Sequence, residues 1–148
     1  MTLWQIDILP AVGQEDVAGK SLQSEARDLG LGSNLTISAA HGFLLQGQLS
    51  ADQVRRAAEQ LLADSIVEST TIAQVGDPTF VAPRNGLQKL LHVLPKPGVM
   101  DPVALSTLQA LQDMSLPVEQ VGTFRKYWLS DLPEDQMQRL SQKLETSI

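Results

Sequence analysis

The chain has no cysteine among its 148 residues, which removes disulfide frameworks, thiol nucleophiles and thiolate-bound zinc at once. Histidine is nearly absent too, with only His41 and His92. Basic residues never run beyond the pairs Arg55-Arg56 and Arg125-Lys126, and the formal charge is −6. Nucleic acid is therefore not an expected partner, because binding it needs clustered cations that displace counterions. No stretch of about 18 apolar residues is present, so no membrane helix is expected. Residues Met1 to Pro10 lack a basic region and include Asp7, unlike a secretory leader, and a cytoplasmic location is expected. In that setting Asn34-Leu35-Thr36 reads as a loop entering a strand rather than as a glycosylation site.

What remains is an ordinary globular composition, 43% hydrophobic and 19% charged. The length suits one domain or two small units leaning on a shared core, since a unit of half this size buries little apolar surface alone. Trp4, Ile6 and Ile8 alternate with Gln5 and Asp7, the two-residue period of a strand with one buried face. Asp16 is a candidate N-cap for a helix carrying Ala18, Leu22, Ala26 and Leu29 and stopping at Gly30. Leu35, Ile37 and Ala39, then Phe43 to Leu45 after a His41-Gly42 break, read as two strands joined by a short turn. Ser50-Ala51-Asp52-Gln53 has the capping-box pattern at the start of a second helix. Residues Ile66 to Ile72 read as a fourth strand. The order is β-α-β-β-α-β.

After a Gly/Pro-rich linker the order starts again. Leu94-Pro95 repeats Leu9-Pro10, and at the same spacing Gly98 repeats Gly13 and Asp101 repeats Asp16. Asp101-Pro102 is a strong helix start, because proline at the first helical position loses no hydrogen bond. Val118 to Phe124 and Lys126 to Leu129 read as the next strand pair, and a last helix carries Met137, Leu140 and Leu144. The expected fold is α+β, two tandem ferredoxin-like units over residues 1–73 and 88–148 joined by a linker at 74–87. The two form a pseudo-dimer, the second unit stopping before its last strand. The edge strand left without a neighbour would favour self-association.

The segment Leu94-Pro95-Lys96-Pro97-Gly98-Val99-Met100-Asp101-Pro102, followed by Lys126-Tyr127 in a strand, resembles the Lys-Pro-Gly-Val-x-Asp-Pro signature of the PurS family. That family is the small component of phosphoribosylformylglycinamidine synthase. The first half, with Ala11-Val12-Gly13 in place of Lys-Pro-Gly, resembles a diverged copy, and such units occur in tandem at the N-terminus of the single-chain synthase. The resemblance implies a non-catalytic module of de novo purine biosynthesis that brings a glutaminase component and an ATP-using synthetase region together, without a cofactor. The family's Arg-x-Gly-Lys is replaced here by Thr123-Phe124-Arg125-Lys126. The alternative function is a regulatory domain pair of the ACT type holding an amino-acid effector between its units, since that class shares the element order and Pro97-Gly98-Val99.

Partner docking or family-motif roles thus fall on Lys96, Pro97, Gly98, Asp101, Pro102, Arg125, Lys126 and Tyr127. Lys96-Pro97-Gly98 ahead of a helix could cradle an anion, but one Lys and one Gly read better as a turn. His41 and His92 stand in no motif with a nucleophile or carboxylate and read as structural or surface groups. Acidic residues are spread along helix faces, so no metal site is expected. In Arg125-Lys126-Tyr127-Trp128 alternate side chains point to opposite sheet faces, and core packing and docking weigh equally.

Overall fold

A computed structural model describes residues 2–31, 35–95, 100–130 and 132–146, excluding the side chains of Glu145 and Thr146. Five strands, β1 (Thr2–Pro10), β2 (Ile37–Gly47), β3 (Glu68–Gln74), β4 (Lys89–Val93) and β5 (Val118–Leu129), form one sheet. Their spatial order is β3-β1-β2-β5-β4 and every pairing is antiparallel. Four helices accompany it: α1 (Val17–Asp28), α2 (Ala51–Ala57), α3 (Pro102–Asp113) and α4 (Glu134–Thr146). The fold is α+β.

Local chemistry explains the helix starts. Asp16 caps α1 by accepting from the Gly19 amide at 2.9 Å, and Asp101 caps α3 by accepting from the Ala104 amide at 3.0 Å. Ser50 and Gln53 exchange bonds at the start of α2 as the capping box requires. α2 then widens into a π-helical turn over Ala58–Leu62 before the chain leaves for β3.

The two expected strand pairs are each one continuous strand. His41-Gly42 lies inside β2, and Arg125 lies inside β5. Gly42 is there for space: a Cβ would run into the Ile6 carbonyl oxygen and the Phe124 ring. A glycine read as a turn thus marks a close approach of neighbouring strands. The other expected strands stand nearly where the alternation puts them, shifted by one or two residues.

Pairing also fixes which side chains share a face. Ile8, His41, Arg125 and Val93 lie in one cross-strand row, with Ile6, Phe43 and Thr123 in the next row along. This face is covered by helices. Val54 and Ala57 of α2 and Leu111 of α3 pack on Trp4, Ile6, Phe43 and Leu45, while Leu22 and Ala26 of α1 and Leu140 of α4 pack with Ile37, Tyr127 and Leu129. At one end a bulge at Gln46/Gly47 shifts the register beside Pro117, where Gly47 again leaves no room for a Cβ.

The register repeats within the sheet. Ile8 faces His41 in the β1–β2 pair, and at the equivalent place Val93 faces Arg125 in the β4–β5 pair, while His41 and Arg125 face each other. Outward from that central pair come β1 on one side and β4 on the other. β3 lies beyond β1, and among the described residues no strand lies beyond β4.

The face opposite the helices is not left open along its whole width. The segment after β3 crosses it through a 3-10 turn (Pro78–Val81) and a tight reversal at Asn85-Gly86, both at positive φ, with Arg84 and Leu87 bridged. Phe80 and Leu87 are buried by this crossing, and Leu87 clusters with Leu9, Ala40 and Trp128. The stretch expected to be an irregular linker thus contributes two side chains, Phe80 and Leu87, to the core while most of it stays exposed.

Candidate functional site

Two places in the sheet carry charged chemistry, one on each face. Beneath the crossing segment, Lys126 is fully buried and its Nζ lies 2.6 Å from Asp7 Oδ2. Gln5 Nε2 donates to the other Asp7 oxygen at 2.9 Å. The ammonium also stands 4.7 Å from the Trp128 ring centre and 5.3 Å from that of Phe80, within cation–π range. Trp128 in turn donates its indole N–H to the Ala82 carbonyl at 3.1 Å, and Arg84 reaches Ser38 Oγ at 3.1 Å. This network joins β1, β5 and the crossing segment. A buried ion pair of this kind chiefly fixes which elements meet, because the cost of desolvating both charges offsets their attraction. Lys126 itself is closed to solvent, while Asp7, Arg84 and Trp128 border a small cavity of about 130 Å³.

The other place is the centre of the helix-covered face. Here His41 and Arg125 sit opposite each other, His41 exposed and Arg125 half-buried. Arg125 donates to Tyr127 Oη at 3.5 Å and to the Leu144 carbonyl at 3.4 Å. Both contacts are long and neutral, and among the described residues no carboxylate lies within ion-pair distance of Arg125. On one side of the pair a cavity of about 280 Å³ extends beneath the β1–α1 loop, reaching Ile8, Asp16, Val17 and Tyr127. On the other a cavity of about 240 Å³ extends toward the start of α3, reaching Phe43, Val93, Asp101 and Val103.

The two N-cap aspartates serve both cavities in the same way. Asp16 uses its second oxygen to accept from the Ala39 amide of β2 at 2.8 Å, and Asp101 uses its second oxygen to accept from Thr123 Oγ1 of β5 at 2.6 Å. Each helix start is thereby tied to the sheet strand beneath it. Comparison of the chain with protein-family models, curated proteins and solved structures finds no match.

The residues singled out in the sequence separate accordingly. Arg125 and Tyr127 meet on the helix-covered face, Asp101 caps α3 beside them, and Pro102 is the exposed first residue of α3. Lys126 belongs to the other face and is wholly enclosed. Lys96, Pro97 and Gly98 lie outside the described residues. His92 is at the second edge, its ring edge-on to Phe124 at 6.2 Å. Its pKa is lowered, first by desolvation and then by the Lys126 charge, with Asp7 acting in the opposite sense. Among the described residues no cluster of three or more histidine or acidic side chains could hold a metal, and no helix is long and apolar enough to cross a membrane.

Sequence reasoning missed Asp7, Thr123 and Phe80. Phe80 carried a usable signal as a lone aromatic in a Gly/Pro-rich stretch. Asp7 carried none, because a charge on the unburied phase of an alternating strand reads as solvent-facing.

Proposed function

We propose that this chain is a non-catalytic assembly module of a phosphoribosylformylglycinamidine synthase, made of two copies of one unit. The carrying observation is the agreement of sequence and register. Asp16 and Asp101, matched in the sequence, cap α1 and α3 alike and reach the sheet alike, and the second copy bears the Pro-Gly-Val-x-Asp-Pro motif. The copies join by edge pairing of β2 with β5, the tethered form of a symmetric dimer. Both contain β-α-β-α, followed in the first copy by β3, with one long strand where a ferredoxin-like unit has two. In this reading the module holds a glutaminase and an ATP-using synthetase region in register and supplies no reacting group.

Size-exclusion chromatography of this chain with a glutaminase and a synthetase lacking its own such region tests the reading. Co-elution of all three supports it. Separate elution at micromolar concentrations contradicts it.

A second reading, a regulatory pair holding a small effector, is favoured by the two cavities that flank His41 and Arg125. Thermal shift on adding amino acids tests it, with no shift from any of them as the contrary result.

A further inference from the structure

In the cavity between the β1–α1 loop and the reversal at Asn85-Gly86, beside the crossing segment, we infer a binding site for a small polyhydroxylated carboxylate of the sugar-acid type, held through Arg84. Neither His41 nor Arg125 borders this cavity, and the site is independent of both readings above. Its volume of about 530 Å³ falls within the usual range for ligand pockets, roughly 300–1,000 Å³.

Arg84 sets the charged end of the ligand. Its Nε donates to Ser38 Oγ at 3.1 Å and its guanidinium stands 5.8 Å from the Trp128 ring centre, so the fork is held against the sheet before any ligand arrives. Those contacts leave both Nη groups, with four N–H donors between them, unbonded to other described residues. Among the described residues no carboxylate lies within ion-pair distance of Arg84, and the nearby Lys126 is already paired with Asp7. A carboxylate accepts from two Nη groups side by side through parallel charge-assisted bonds. A phosphate monoester fits less well, because it carries about −1.5 to −2 charges at pH 7 and Asp16 also borders the cavity. One cation balances one negative charge there.

The rest of the wall sets the hydroxyls. Gln14, Thr36, Ser69 and Asn85 line it with neutral amide and hydroxyl groups, and these side chains make no hydrogen bond to other described residues. Asp16 uses one lone pair of each oxygen on the Gly19 and Ala39 amides, which leaves each oxygen able to accept once more. A row of ligand hydroxyls suits such a wall, since each hydroxyl both donates and accepts. An apolar tail would instead strip water from these groups and return no bond.

The test uses the whole chain, D-gluconate, and three analogues: D-sorbitol without the carboxylate, hexanoate without the hydroxyls, and sorbitol 6-phosphate with a phosphate as its only anion. Backbone amide NMR shifts report binding and its place. Gluconate should saturate with a dissociation constant on the order of 1 mM or tighter, moving the Ser38, Ser69 and Asn85 amides, with every analogue at least about tenfold weaker. Arg84→Gln should abolish the response, and Arg84→Lys, which keeps the charge and loses the fork, should weaken it at least about tenfold. Because Arg84 also ties the crossing segment to β2, the deciding variants are at Ser69, an exposed position on β3. Ser69→Glu adds a like charge to the wall and should weaken gluconate binding at least about threefold, while Ser69→Lys adds an opposite charge and should tighten it by a similar factor. Both should keep the melting temperature within about 2 °C of the unaltered chain. Binding of any analogue as tight as gluconate, shifts that map elsewhere, equal affinities in the two Ser69 variants, or no response up to roughly 30 mM gluconate would each overturn the proposal.

Discussion

Replacing Lys126 by Met isolates what the buried ion pair does. The substitution keeps an unbranched side chain, one atom shorter, and removes the ammonium with its charge and hydrogen bond, leaving Asp7, whose side chain is 4% exposed, without its cation. A carboxylate stranded in this way destabilises a protein by about 3–5 kcal/mol, a large part of the roughly 5–15 kcal/mol that holds a domain folded. Asp7→Leu strands the ammonium instead, with part of the loss returned by the Trp128 and Phe80 rings. The double substitution strands nothing. It should recover most of either loss, so that the coupling between the sites exceeds about 2 kcal/mol. Urea unfolding followed by tryptophan fluorescence measures all four forms, since Trp128 lies within the network. If Lys126→Met costs under about 1 kcal/mol with an unchanged denaturant slope, the ammonium reaches solvent and the crossing segment does not seal this face.

Two further outcomes follow from the same structure. Asp16→Ala and Asp101→Ala should each cost about 1–2 kcal/mol in urea unfolding, a cap plus a bond to the sheet; loss from one variant only would break the equivalence of the two helix starts. His92 has a lowered pKa in the fold, so as pH falls the unfolded chain takes up the proton first. Stability should decline as pH drops below about 6.5, levelling once the folded form is protonated, and His92→Gln should flatten that part of the urea-midpoint profile; an unchanged profile assigns the slope to another group.

The parts of the fold legible in the sequence are those decided within a few residues. The alternation of Trp4, Ile6 and Ile8, the capping box at Ser50 and Gln53, and Asp101 before Pro102 each gave an element of the right type in the right place. Continuity of the long strands was not legible. His41-Gly42 has the composition of a turn, and only the approach of Ile6 and Phe124 shows why a strand needs glycine there. The Asp7–Lys126 pair was hidden for a related reason: its members are 119 positions apart, Asp7 sits on the phase of β1 that local patterning leaves to solvent, and Lys126 is a lone charge in phase with Phe124 and Trp128. Of the candidate site, Arg125 and Tyr127 were found as residues, and their alternation against Lys126 and Trp128 was read correctly. Their meeting with His41 depends on pairing between the two halves, which no local pattern encodes.

The central claim is that the chain assembles an amidotransferase without taking part in its chemistry. The most direct measurement is glutamine-driven amidine formation by a glutaminase and a synthetase that lacks this region, with and without the chain added, beside the same reaction driven by free ammonia. The account predicts that the chain restores the glutamine-driven rate, leaves the ammonia-driven rate unchanged, and shows neither activity alone. A chain that leaves the glutamine-driven rate at its starting value, or that hydrolyses glutamine by itself, would contradict it.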